Sequence, residues 1–248
     1  AMDAQAAKST SVLLVTRELE AIRRAETRYL MDGSEAALKD ARDNLARASV
    51  ALAASVQTAP TEERRKAYQA VLDTLRAHAA YLDQFGQFGH TWQAERGKLF
   101  VGGDTLTAAT GRLLTAARAT HDAAMADTAA NVEAAILLVR VANWRFMATL
   151  DPAGPATFRS NASHAQAAIT ELQRLAKPDV AGLIEPVQAA LNAYEASFTA
   201  FSTARLAAEK LYPEQMRPEV LAMQQQLDDA AAVLTQSFND SRTVAAKT

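Results

Sequence analysis

Residues 23–38 read "RRAETRYLMDGSEAAL". Ile22, Glu26 and Tyr29-Leu30 recur at three- and four-residue steps and continue a series begun by Val12, Val15 and Leu19, which is the period of one helical face. Asp32-Gly33-Ser34 then interrupts the pattern, and Glu35 opens an alanine-rich run that is itself a good helix former. The stretch is therefore the corner of a helical hairpin, with a first helix over about 8–31 and a second over about 35–56.

Residues 140–155, "RVANWRFMATLDPAGP", carry the corner again. Arg23, Ala25, Arg28, Tyr29 and Leu30 match Arg140, Ala142, Arg145, Phe146 and Met147, giving R-x-A-x-x-R-aromatic-apolar in both. An Asp with Gly or Pro follows each copy, then Ala36-Ala37-Leu38 or Ala156-Thr157-Phe158, with a loop about three residues longer the second time. Repeats near 8–57 and 120–177 thus read as two related hairpins.

The rest of the chain supports an all-α class. Only 9 glycines and 7 prolines interrupt 248 residues, of which 49% are apolar and 22% charged. Thr61 before Glu62-Glu63 reads as the N-cap of a third helix that ends near Phe85-Gly86-Gln87-Phe88-Gly89. A short segment from Trp92 to Phe100 follows, and Gly102-Gly103-Asp104 restarts the chain. From Thr105 to Leu150 only Gly111 interrupts, so a helix of about 46 residues, roughly 69 Å, is expected, and with it a rod-like molecule. Helices over about 156–176 and 186–210 come next, the latter with Pro186 near its first turn. Tyr212-Pro213 to Pro218 is the last break. A final helix over about 219–245 carries Val220, Met223, Leu227, Ala230-Ala231, Leu234 and Phe238 on one stripe. Both chain ends read as unterminated helices.

The hairpin ending in "RRAETRYLMDGSEAAL" resembles the first hairpin of the four-helix-bundle ligand-binding domains of bacterial chemoreceptors and sensor kinases. The length, the second copy and the long middle helix resemble more closely the helical bimodular sensor domains. That resemblance covers the whole chain and implies an elongated all-α fold of two stacked four-helix-bundle modules sharing long helices. It also implies a periplasmic domain of an inner-membrane receptor, often homodimeric, that binds small organic acids and signals through its terminal helices. The expected function is that of a chemoreceptor's ligand-binding domain, with the sensor domain of a histidine kinase or a helical scaffold that binds no small molecule as the alternatives.

A carboxylate ligand calls for a fixed guanidinium, whose planar fork holds both oxygens. Arg24 and Arg28, four apart, share a face, whereas Arg23 is turned away from Arg24. In the second copy Arg140, Asn143 and Trp144 share a face, with Arg145 one step round. These six residues are the expected ligand contacts. The competing reading pairs the arginines with Glu20, Glu26 or Glu133 on the helix surface. A second site would draw on His78, Tyr81, Trp92, Arg96 and Arg112, although Trp92, Phe85, Phe88 and Phe100 read equally as a distal hydrophobic core.

Other chemistries are poorly supported. The absence of cysteine removes disulfides, thiolate metal sites and cysteine nucleophiles. His78, His90, His121 and His164 are dispersed, with no four-residue metal pair and no Glu-x-x-His repeat, so no metal or cofactor is expected. Gly102-Gly103-Asp104 lacks the Lys-Ser/Thr of a phosphate loop, and no serine sits in a nucleophile elbow. Asn161-Ala162-Ser163 matches a glycosylation sequon, a pattern three residues long and common by chance. A net charge of −2 gives no bulk attraction for nucleic acid. No run is long enough to span a bilayer, and Ala1-Met2 reads as a cloning remnant, so an excised soluble piece is expected.

Overall fold

The computed structural model describes the backbone of residues 2–245 and the side chains of 11–232, 236, 240, 242 and 243. Among these residues the chain is all helical. The helices are α1 (Met2–Asp32), α2 (Glu35–Gln57), α3 (Glu62–Ala119), α4 (Ala123–Thr149), α5 (Gly154–Leu175), α6 (Pro178–Leu211) and α7 (Arg217–Ala245). A π-helical turn, Tyr212–Met216, joins α6 to α7. None of the described helices is long and apolar enough to cross a membrane.

The corner at 32–34 forms as its residues require. Gly33 takes the left-handed conformation at φ 62°, and its N–H reaches the Tyr29 carbonyl at 2.7 Å. Ser34 then caps α2 by accepting the Ala37 N–H. Leu150 makes the same turn after α4 at φ 51°, its N–H 2.8 Å from the Phe146 carbonyl, without the freedom glycine has. Thr61 accepts the Arg64 N–H at the start of α3, as a cap does.

Several expected boundaries do not exist. α3 does not end near Gly89 and does not restart at Gly102-Gly103; it runs unbroken for 58 residues. Three of its glycines, Gly86, Gly89 and Gly103, are close-packing points. A methyl on Gly86 would stand 3.2 Å from a Leu38 methyl, one on Gly89 would overlap the Tyr29 ring, and one on Gly103 would stand 3.0 Å from Arg140 Nη2. The uninterrupted helix over 105–150 is broken at Thr120–Asp122, where His121 adopts φ 56° and Asp122 caps α4 by accepting the Met125 N–H. α6 begins at Pro178 and carries Pro186 in its interior; the residue four before it, against whose carbonyl the ring crowds, is Gly182. The segment from Tyr212 to Pro218 continues the helical path instead of breaking it, because the π-turn absorbs Pro213. On α7, Val220, Met223 and Leu227 are buried and Ala230 is half-buried; Leu234 and Phe238 lie outside the described side chains.

The chain divides into two compact units. Unit 1 comprises 1–89 with 208–248, and unit 2 comprises 90–207. The core of unit 1 draws on α1, α2, the first part of α3, and the π-turn with α7. The core of unit 2 draws on the rest of α3 with α4, α5 and α6. Each is therefore a four-helix core, and the two are built on one register. Val15, Leu19, Ile22, Ala25, Glu26 and Tyr29 are buried on α1, and so are Val132, Ile136, Val139, Ala142, Asn143 and Phe146, each 117 residues later on α4. Tyr68, Val71, Leu75, His78, Leu82 and Phe85 on α3 correspond in the same way, 116 residues on, to Ile184, Val187, Leu191, Tyr194, Phe198 and Phe201 on α6. Met216, Val220, Met223 and Leu227 match Leu99, Gly103, Leu106 and Thr110, all buried, 117 residues earlier.

Candidate functional site

One layer of each register is polar. In unit 2 it is centred on Asn143, which is 2% exposed and donates from Nδ2 to the Tyr194 hydroxyl at 2.9 Å. The helical period of α4 sets Arg140 and Trp144 on the same side. The half-buried Arg140 crosses α3 where Gly103 offers no side chain, and its Nη1 donates to Thr107 Oγ1. The Trp144 indole, 46% exposed, lies under the guanidinium at 4.8 Å. A cation–π contact of this kind contributes about 0.5–1 kcal/mol, too little to replace a counter-ion.

Two buried atoms in this layer have no hydrogen-bond partner: Arg140 Nε and Asn143 Oδ1. Each such atom costs roughly 1–3 kcal/mol when left unpaired. No carboxylate of the described residues pairs with Arg140. Burial pushes the Tyr194 phenol above its ordinary pKa against the opposing pull of Asn143 and Arg140, so it stays neutral with a proton to donate. The layer thus offers a cation, a phenol donor and a free amide oxygen. A small anion that also carries a hydroxyl or ammonium donor completes it.

Beside this layer a groove of ≈ 470 Å³ opens between α3 and α6. Gly97, Gly102, Ala190 and Ser197 give it small walls, the Tyr194 ring forms part of its floor, and Lys98 stands on its lining.

Of the other sequence candidates, Arg145 and Arg24 are exposed, and Arg28 is taken up by Asp40 at 2.6 Å on the surface. The structure brings together Arg140, Asn143 and Trp144 and leaves Arg145 outside. Arg23, the counterpart of Arg140 in the repeat, points to Glu20 at 3.7 Å. The difference lies in another helix. Val220 fills in unit 1 the position that Gly103 leaves open in unit 2, so only Arg140 has room to turn inward.

Unit 1 has a polar layer of another kind. His78 is fully buried, with Nε2 2.5 Å from Glu26 Oε1 and Nδ1 2.7 Å from Glu219 Oε1. Burial alone would depress the His78 pKa, but the hydrogen bonds and charges of Glu26 and Glu219 outweigh it and hold the ring above its ordinary value. Burial likewise raises Glu26 against the pull of His78, so the pair keeps its protons to higher pH than either group does in water. Tyr81 meets the His78 ring edge at 6.3 Å. Trp92 is buried under Arg205 at 4.8 Å, while Arg96 lies over the exposed Phe100 and Arg112 is exposed. Phe85 is buried and Phe88 half-buried, so the distal aromatics do not share one environment.

Sequence reasoning missed Tyr194, Gly103, Thr107 and Glu219. For Glu219 a signal existed: Glu26 and His78 both interrupt apolar faces, and buried charges need partners. Among the described residues no group of three His, Cys, Asp or Glu side chains is arranged to hold a metal ion. Compared with known proteins, the chain matches no family model and no curated sequence.

Proposed function

We propose that this chain is an extracytoplasmic sensor domain of a membrane receptor, and that unit 2 binds a small organic acid in the Arg140–Asn143–Tyr194 layer. The observation that carries the reading is the buried Arg140 Nε with no acceptor, on a guanidinium with no carboxylate partner among the described residues. A ligand carboxylate supplies both the acceptor and the charge, and a hydroxyl or ammonium on the ligand supplies a donor for Asn143 Oδ1. The all-α architecture and the paired hairpin motif support a chemoreceptor or a sensor kinase alike. Binding that favours one packing of the helices would carry the signal to the terminal helices.

The test is a thermal-shift screen of di- and tricarboxylates, hydroxy acids, amino acids and acetate, followed by titration of the best acid. A ligand selective for the folded state raises the melting temperature. Arg140→Ala is expected to weaken that acid at least about tenfold, the loss of a charge-assisted pair, while helicity stays intact. No shift with any acid, or unchanged affinity in the variant, refutes the assignment.

A second reading is a helical scaffold that pairs with another helix or another copy of the chain. It draws on Leu137, Val141 and Trp144, exposed at successive turns of α4. It expects no small-molecule stabilisation and a change of oligomeric state when Val141 is replaced by Glu.

A further inference from the structure

The two polar layers occupy equivalent places, and one side chain separates them. Glu26 and His78 of unit 1 stand where Asn143 and Tyr194 stand in unit 2, at the spacings of 117 and 116 residues that relate the buried faces. The third member of the unit 1 layer, Glu219, corresponds at the same spacing to Gly102. The Glu219 side chain is 22% exposed and its carboxylate ends 2.7 Å from the buried His78 ring. It reaches the buried ring from a partly exposed position on α7.

Nothing in the packing requires glycine at 102. A methyl there would meet only Tyr194 Cδ2 at 3.6 Å, an ordinary contact, and its backbone is helical. An interior helical glycine is less favourable than alanine, so its effect is to leave space. That space is continuous with the groove of ≈ 470 Å³ against Tyr194. Charge follows the same division. Unit 1 sets two carboxylates on one imidazole. In unit 2 an amide replaces the first carboxylate and glycine the second, while Arg140 adds a cation.

We infer that Glu219 is a built-in occupant: its carboxylate fills in unit 1 the position that a free carboxylate takes in unit 2, beside Gly102 and against Tyr194. Unit 1 is therefore closed to external acids, and unit 2 alone is the receptor site. The assignment of unit 2 rests on the function proposed above; the self-occupation of unit 1 does not.

Three variants test it with formate as the probe and chloride at equal ionic strength as the control. Glu219→Ala empties the unit 1 position. Formate is expected to raise its melting temperature more than that of the wild type and to shift the His78 imidazole resonances. Glu219→Gln keeps the position filled and is expected to respond as the wild type does. Gly102→Glu places a tethered carboxylate in unit 2 and is expected to abolish the shift given by the best acid of the screen. A Glu219→Ala protein that formate stabilises no more than the wild type overturns self-occupation, whether or not the wild type binds any acid. Undiminished acid binding by Gly102→Glu overturns the placement in unit 2. A wild type that responds to no acid, with formate still rescuing Glu219→Ala, removes the functional reading and leaves Glu219 as the occupant.

Discussion

The glycines of α3 show how far a single residue type can mislead. In the sequence Gly86, Gly89, Gly102 and Gly103 look like punctuation, since glycine weakens helices by about 1 kcal/mol each. In the fold, three of the four are sockets for Leu38, Tyr29 and Arg140, and those partners lie on other helices. No local pattern records that. Tyr29 seats over Gly89, donates to the Gly86 carbonyl at 3.0 Å, and has its phenol pushed up to about 12 by burial. Gly89→Ala should therefore destabilise the protein by about 1–3 kcal/mol, the cost of overpacking, whereas Gly111→Ala, with open space around it, should stabilise by up to about 1 kcal/mol. Urea denaturation of the two variants checks the contrast. His78 makes stability depend on pH. Its pKa is raised in the folded state, so its contribution is fully present below the unfolded value near 6.5 and is lost as pH rises through the folded value. Glu26, also raised, changes stability in the same direction. As pH rises above 6.5 the wild type should lose stability, and His78→Gln should flatten that slope. The groups facing the ring are Glu26 from α1, Glu219 from α7 and Tyr81 from α3 itself, and a slope unchanged in the variant would assign the pH dependence elsewhere.

At the scale of elements, the sequence was most legible where a turn is written in local chemistry. Gly33 and Ser34 mark the α1–α2 corner, and Thr61 marks the start of α3. It was least legible where a residue without special freedom makes the turn. His121 adopts a left-handed conformation between α3 and α4 with neither glycine nor proline beside it, and Asp122 was the one available sign. Prolines failed in the opposite sense, since Pro186 sits inside α6 and Pro213 inside a π-turn that continues the helical path. The corners also differ in cost. Gly33 takes φ 62° freely, and Leu150 takes φ 51° with a Cβ. Gly33→Ala should cost about 1–2 kcal/mol for placing a side chain in that conformation. A denaturation midpoint equal to that of the wild type would show that the corner relaxes at no cost.

For the molecule as a whole, the all-α class and the doubled hairpin were readable from spacing alone, because each copy carries its own arginines, aromatic and break. Which arginine becomes interior was not readable. Arg23 and Arg140 occupy the same place in the motif, and the choice between them is made by Val220 on α7 and Gly103 on α3. The same comparison separates a unit whose polar layer carries its own carboxylates from one whose guanidinium has none among the described residues. The most direct test of that distinction is a crystal structure of the wild-type protein with the acid that most raises its melting temperature. Density is expected for one acid in unit 2, its carboxylate between Arg140 and Tyr194 beside Gly102, with Glu219 still on His78. Density at His78 with Glu219 displaced, or an acid bound away from Arg140, would contradict it.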